Sequence, residues 1–136
     1  MTDTTRYLPK ATPETEHFWE GTRNHELRLQ NCSDCGRIYF PPQPFCPDCH
    51  SDAIHLLSAS GRASLHSYVI SHMEVSGLAT PHIIAVVELE EGPRMMTNIV
   101  GVEPEPENLA IDMPLRVQFA QQTSEITLPL FEPVSS

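Results

Sequence analysis

The feature that most constrains this chain is a pair of C-x-x-C motifs, Cys32-x-x-Cys35 and Cys46-x-x-Cys49, separated by ten residues. Two such motifs at short range bring four thiolates within reach of one ion, an arrangement that suits tetrahedral zinc. The sequence therefore predicts that these four cysteines are the ligands of one structural Zn²⁺ ion, which clamps a small ribbon.

The residue after each motif stands where the backbone of a metal-binding turn often has a positive φ. Gly36 holds this place after the first motif and His50 after the second. Glycine adopts positive φ without strain, and histidine is among the other residues enriched there. Both residues are compatible with such a turn, Gly36 more readily than His50.

Three interpretations of the four cysteines compete: two disulfides, a redox-active iron site of the rubredoxin type, and a structural zinc site. No basic and apolar signal segment precedes the ribbon, so we expect a reducing, cytoplasmic setting and disfavour disulfides. The run from Cys35 to Tyr39 is typical of rubredoxin, but zinc is commoner in short ribbons. A closed four-cysteine zinc site has no open position for substrate, and the chain has no further cysteine. We therefore expect none of the four cysteines to be catalytic.

The charge of the chain argues against nucleic-acid binding. Eight lysines and arginines oppose eighteen acidic residues, which gives a formal net charge of −10. Phosphate binding requires clustered positive charge, and the seven arginines are scattered. No apolar run approaches the roughly 20 residues of a membrane span, so no membrane partner is expected either.

Hydrophobic patterning predicts a mainly β chain with one short helix near its start. Thr12-Pro13-Glu14 resembles a helix start, and the helix should run from Pro13 to Trp19 or slightly beyond. Short strands between Leu27 and Leu57 form the zinc ribbon. Five further strands are predicted at residues 64–73, 82–89, 94–100, 115–119 and 126–131.

The longest irregular connection lies between the third and fourth of these five strands, which is the pattern of an OB-fold barrel. Another small barrel or an open meander are the alternatives. The second strand, His82 to Leu89, is almost wholly apolar and is therefore expected to be buried on both faces.

Motifs of a known family run through residues 13–131. They are Phe18-Trp19-Glu20-Gly21, Leu27-Arg28-Leu29-Gln30, the first cysteine motif with its continuation Gly36-Arg37-x-Tyr39-Phe40-Pro41-Pro42, Cys46-Pro47-x-Cys49, Ser60-Gly61-Arg62-Ala63, Val87 to Arg94 and Thr97 to Val100. On these motifs the chain resembles the domain-of-unknown-function-35 family, a rubredoxin-like zinc ribbon followed by an OB fold. The sequence departs from the family at His50, where the family usually has glycine.

The resemblance implies an accessory role. Family members are typically partner subunits of thiolase-like proteins in acyl-CoA-processing complexes, which include acyl transferases, assemblies that form hydroxymethylglutaryl-CoA and aldolases that shorten acyl-CoA side chains. By this resemblance the chain is expected to brace such a partner and to help bind or channel acyl-CoA, while the partner holds the active site. The expected division is a tail and helix over residues 1–25, a zinc ribbon over 26–58 and an OB fold over 59–136. The alternatives are an iron electron carrier and a stand-alone acyl-CoA enzyme.

Two small groups of residues are candidates for contacts with other molecules. Arg37 could bind a phosphate of CoA while Tyr39 or Phe40 stacks on its adenine. The alternative is that Arg37 is solvated and the two aromatic rings seal the ribbon against the barrel. Phe18 and Trp19 are adjacent aromatics on a short helix, and they either anchor a partner subunit or pack in the core of their own chain.

Overall fold

A computed structural model describes residues 8–134 of the chain. The elements are α1 (Glu16–Arg23), β1 (Arg28–Cys32), β2 (Ile38–Tyr39), β3 (Ile54–Ser58), β4 (Arg62–Ser71), β5 (His82–Leu89), β6 (Arg94–Ile99), a short 3₁₀ turn (Pro106–Asn108), β7 (Pro114–Gln121) and β8 (Thr127–Pro133). This architecture confirms the predicted fold class: a short helix, a ribbon of strands and a five-stranded barrel. Within residues 8–134, no helix combines the length and apolar character needed to cross a bilayer.

The helix begins later than its sequence pattern predicted. The amide of Thr12 donates to Oγ1 of Thr15 over 2.9 Å, and the amide of Thr15 donates to the carbonyl of Thr12 over 3.0 Å. These bonds form a separate turn that contains Pro13, so Thr15 rather than Thr12 precedes the first helical residue. The helix ends where His25 adopts a φ of 59° and the amide of Glu26 donates to the carbonyl of Gly21, the bond that marks a Schellman motif.

The ribbon is a three-stranded antiparallel sheet with β1 at its centre. Leu29 of β1 pairs with Leu57 of β3, and Gln30 pairs with Tyr39 of β2. Leu27 and Leu29 are buried, and they belong to the same hydrophobic cluster as the barrel interior and the helix. The ribbon therefore shares the main core of the molecule and buries little apolar surface by itself.

The second half of the chain forms a closed barrel in the order β4-β5-β6-β8-β7. Neighbouring strands are antiparallel except β6 and β8, which run parallel and meet at Ile99 and Phe131. The ends of the five observed strands differ from the predicted ones by at most two residues. The longest connection lies between β6 and β7, as the OB-fold prediction required. The barrel interior is filled by Leu65, Ile83, Ala85, Val87, Leu89, Met95, Ile99, Leu115 and Phe131.

The prediction that β5 is buried on both faces is wrong for this chain. Burial alternates along the strand: Ile83, Ala85 and Val87 point into the barrel and are buried, whereas Ile84 and Val86 are only half-buried. The physical reason is that barrel closure covers the inward face alone. The outward face of β5 is therefore apolar and partly open to solvent.

Candidate functional site

The two cysteine motifs fold into turns of the same geometry. The amide of Gly36 donates to the carbonyl of Cys32 over 2.8 Å, and the amide of His50 donates to the carbonyl of Cys46 over 2.9 Å. Gly36 has a φ of 82° and His50 a φ of 65°, so both adopt the left-handed conformation. The histidine thus reproduces the backbone that glycine gives to the first turn.

The two turns bring the four sulfur atoms together. All four Sγ atoms lie within 4.8 Å of one another. The distance is 3.5 Å between Cys32 and Cys49 and 3.6 Å between Cys35 and Cys46. Four sulfurs placed about 2.3 Å from a tetrahedral ion would stand about 3.8 Å apart. The arrangement therefore fits one tetrahedrally bound metal ion, with each motif contributing two ligands.

The backbone of each turn favours the thiolate form of its first cysteine. A hydrogen bond from the amide of Cys35 is the main cause that lowers the pKa of Cys32 to about 7. In the same way the amide of Cys49 lowers the pKa of Cys46. The amide of Asp48 also points at the sulfur of Cys46, at 3.3 Å. Because metals bind the thiolate and not the thiol, these amides prepare the site for an ion.

Side chains around the sulfurs tie the two turns to each other. The guanidinium of Arg37, after the first motif, forms an ion pair with the carboxylate of Asp48 in the second. The hydroxyl of Ser51 donates to the carboxylate of Asp34 over 2.6 Å. These contacts connect the loops that carry the four cysteines, so they hold the two ligand pairs facing each other.

The predicted CoA-contacting residues have different surroundings. Tyr39 is 2% exposed, and its hydroxyl donates to the carbonyl of Gln43 over 3.2 Å. Burial is the main cause that raises its pKa. Phe40 is half-buried, and its ring centroid lies 5.2 Å from that of Phe18. Arg37 is exposed apart from its ion pair.

Arg37, Tyr39 and Phe40 nevertheless line one cleft of about 470 Å³, together with Glu88 and Arg94 of the barrel. The cleft lies where the first cysteine turn meets the β5–β6 hairpin. Tyr39 has no open ring face on which adenine could stack, so within this cleft Arg37 and Phe40 are the accessible candidates. Ligand binding by the three residues stays a prediction.

The two aromatic residues of the helix are covered by their own chain. Phe18 is 3% and Trp19 9% exposed, and the two rings meet edge to face with centroids 5.0 Å apart. Of the two roles expected for these rings, packing in the core of their own chain is the one observed, because α1 packs against β1, β7 and β8. Parts of both rings still line an apolar groove at the surface. Their role in a partner interface stays a prediction.

Sequence reasoning missed two residues of this region. Asp48 is the partner of Arg37, and Arg94 lines the cleft beside it. The cysteine spacing gave a signal for Asp48. Asp48 lies inside the second C-x-x-C motif, and a shared ion would bring that motif close to the residues that follow the first one. Arg94 gave no local signal, because its position depends on how the ribbon packs on the barrel.

Family models match almost the whole ribbon and most of the barrel. "ChsH2, rubredoxin-like zinc ribbon domain" matches residues 19–55, and "ChsH2, C-terminal OB-fold domain" matches residues 58–120. The chain is 31% identical to a solved structure described as "Ltp2-ChsH2(DUF35) aldolase", with a TM-score of 0.83 over 93% of this chain and 98% of that one.

Among curated proteins, the chain is 32% identical to a probable enoyl-CoA hydratase alpha subunit of Thermomonospora curvata, over 94% of this chain and 45% of the relative. It is 31% identical to the benzoylsuccinyl-CoA thiolase subunit BbsA of Geobacter metallireducens, over 55% of this chain and 51% of the relative. The chain thus spans about half the length of these two proteins.

A third relative is matched over most of its length. It is a DUF35 (domain of unknown function 35) domain-containing scaffold protein of Methanothermobacter thermautotrophicus, 33% identical over 68% of this chain and 72% of the relative. This match, the two family models and the shared ribbon-and-barrel architecture agree. The chain belongs to the DUF35 family, in which a rubredoxin-like zinc ribbon is joined to an OB fold.

Proposed function

We propose that this chain is a non-catalytic subunit of a thiolase-like, acyl-CoA-processing complex, in which it braces the catalytic partner and contributes to acyl-CoA binding. The observation that carries the proposal is the likeness to the ChsH2(DUF35) aldolase structure, which extends over 98% of that chain. A relative described as a thiolase subunit supports the same class of partner.

The chemistry of the chain is consistent with an accessory role. Thiolase-type acyl transfer requires a nucleophilic thiol, and all four cysteines of the sequence lie together in the candidate metal site. A thiolate bound to a structural metal is not available for attack on an acyl group. The proposed partner would therefore supply the nucleophile or base.

We infer that the metal is zinc. The four sulfurs form a closed site with two ligands from each turn and sulfur distances that suit a tetrahedral ion. Held in this way, Zn²⁺ would act structurally, since the four thiolates would fill its coordination positions. The cysteines would bind the ion, and the amides of the two turns would stabilise their negative charge.

The cleft between ribbon and barrel is the proposed contact for the phosphates of CoA. Arg37 and Arg94 both line it, and each is held in an exposed ion pair, with Asp48 and with Glu88 respectively. Exposed ion pairs contribute only about 0–1 kcal/mol, so a phosphate can replace either carboxylate at small cost. The net charge of −10 opposes CoA binding by the lone chain, and the partner is expected to supply further positive charge.

The function is tested by reconstitution. When the chain is co-expressed with a thiolase-like subunit, we expect the two to form a stable complex and acyl-CoA turnover to require that subunit. The isolated chain should show no turnover and no saturable binding of CoA by isothermal titration. Turnover by the isolated chain would instead identify a stand-alone enzyme. Absence of a complex would show that the proposed function is wrong.

The cleft is tested by removing its two cationic groups. In the reconstituted complex, the double change Arg37→Ala and Arg94→Ala should raise the apparent KM for acyl-CoA several-fold, because two contacts to phosphate are lost. Arg116→Ala is the matched control: Arg116 is also exposed and paired, with Glu132, but it does not line the cleft. Equal KM values in wild type and double variant would place the CoA contacts elsewhere.

A further inference from the structure

The outer surface of the barrel carries an apolar patch that its own chain leaves open. Val69 of β4 pairs with Ile84 of β5, and Val86 of β5 pairs with Met96 of β6. Residues opposite each other on antiparallel strands project to the same side, and these four lie on the outside. Val69 is 57% and Met96 71% exposed, while Ile84 and Val86 are half-buried. We call these four residues the barrel patch.

An apolar groove adjoins the barrel patch. It has a volume of about 450 Å³ and is lined by Ile84 and Met96 of the patch, by Trp19 of the helix and by Val75 of the β4–β5 loop. Met73 and Val75 of that loop are also exposed. The groove therefore adjoins the patch through Ile84 and Met96 and adjoins the loop through Val75.

This surface differs from the outer face of β7 in the same barrel. Along β7 the buried Leu115 alternates with the exposed Arg116 and Gln118, which is the pattern of a strand with one face exposed to solvent. On β5 the alternation of apolar and polar residues is missing from residue 83 to residue 87, since the outward positions there carry Ile84 and Val86. Contiguous exposed apolar patches on a folded domain mark interaction sites. The β4-β5-β6 face thus has the composition of a surface that another molecule covers.

We infer that the barrel patch docks a different protein subunit, one that presents an apolar anchor side chain surrounded by neutral or basic residues. The inference rests on the proposed function and identifies that subunit with the thiolase-like partner. Glu74 precedes Val75 of the groove in the β4–β5 loop, and the next cross-strand pair on the same face as Val86 and Met96 is the ion pair of Glu88 and Arg94. Glu74 is acidic and the ion pair is neutral overall, so a partner surface with basic residues around its apolar anchor would complement the charge next to the patch.

Two other occupants fit the surface less well. A second copy of the chain would bring two net charges of −10 together, and their repulsion opposes self-association. A small apolar ligand could fill the groove, but Val69 and Met73 do not line the groove and would remain in water. A protein surface covers the groove and the patch at once.

Charge insertion tests the inference. Val69→Glu and Met96→Glu should each lower the affinity for the purified thiolase-like subunit by about thirtyfold or more, the scale of an interface hot spot. The matched control is Ile111→Glu, which places the same charge at an aliphatic residue that is 56% exposed in the β6–β7 connection. The control should bind within about twofold of wild type. Circular dichroism and metal content establish that all three variants are folded.

Each other outcome overturns the inference in a distinguishable way. If the wild-type complex forms and all three variants bind equally, the docking surface is elsewhere and the proposed function stands. If the wild-type chain does not bind the subunit, both proposals fail. A lone chain that is dimeric and becomes monomeric on Val69→Glu assigns the patch to self-association. Trp19 is the only tryptophan of the sequence, so a saturable shift of its emission with octanoyl-CoA would assign the groove to an acyl chain.

Discussion

Replacing Cys46 with serine is expected to abolish metal binding and to unfold the ribbon over residues 27–57. Structural zinc contributes about 10–16 kcal/mol to the folding of small zinc-binding peptides, which exceeds the usual net stability of a domain, about 5–15 kcal/mol. The ribbon sheet is small: β2 has two residues and β1 and β3 have five each. Without the ion, few of its contacts remain to hold the two cysteine turns.

The barrel is expected to survive this change, although with lower stability. Its five strands pair in a closed ring, and its interior includes large buried side chains such as Leu65, Ile83 and Phe131. Leu27 and Leu29 of the ribbon extend the same hydrophobic cluster, so their loss exposes part of that core. The barrel should therefore remain folded while its amide protection decreases.

Hydrogen exchange and metal analysis check this prediction together. In Cys46→Ser, amides of residues 27–57 should lose protection while those of β4 to β8 keep most of theirs. Phe45→Ser is the matched control, since it introduces the same residue at the neighbouring position, where the side chain is 54% exposed. Unchanged exchange across the ribbon would contradict the prediction. Wild-type protein should contain one zinc per chain and be colourless, whereas a reversible iron chromophore would identify an electron carrier.

The clustering of the four cysteines and the order of strands could be predicted because their signals are local. The four cysteines lie within eighteen residues, and each barrel strand is marked by its own apolar residues between turn residues. The start of the helix was misplaced because Thr12 and Thr15 bond to each other and form a turn that competes with the helix. Such competition depends on geometry that residue preferences do not describe.

The surroundings of single side chains could not be predicted in the same way. Phe18 and Trp19 are buried because α1 lies against strands that are distant in the sequence, and no local pattern indicates that packing. The outward face of β5 shows the opposite case. Its residues have the composition of a buried surface, and only the closed barrel reveals that Ile84 and Val86 remain partly open.

The burial of the helix leads to the second large effect, at Phe18. Its ring lies 5.0 Å from Trp19 and 5.2 Å from Phe40, so it joins the helix to the end of the ribbon strand β2. Replacing a buried phenylalanine with alanine removes apolar contacts and leaves a cavity, which costs about 3–5 kcal/mol. Phe18→Ala should therefore lower the free energy of unfolding of the isolated chain by that amount, measured by denaturant unfolding.

Phe45→Ala is the control for this substitution, because it removes the same side chain from an exposed position. Its effect should stay within about 0.5 kcal/mol. Equal destabilisation by the two variants would contradict the burial of Phe18.

Partner affinity then separates the two roles considered for this helix. If the ring only supports the core, Phe18→Ala should lower the apparent affinity for the partner only in proportion to the fraction of the chain that is unfolded. A larger loss of affinity, measured where the variant is fully folded, would mean that the ring also contacts the partner through the groove it lines.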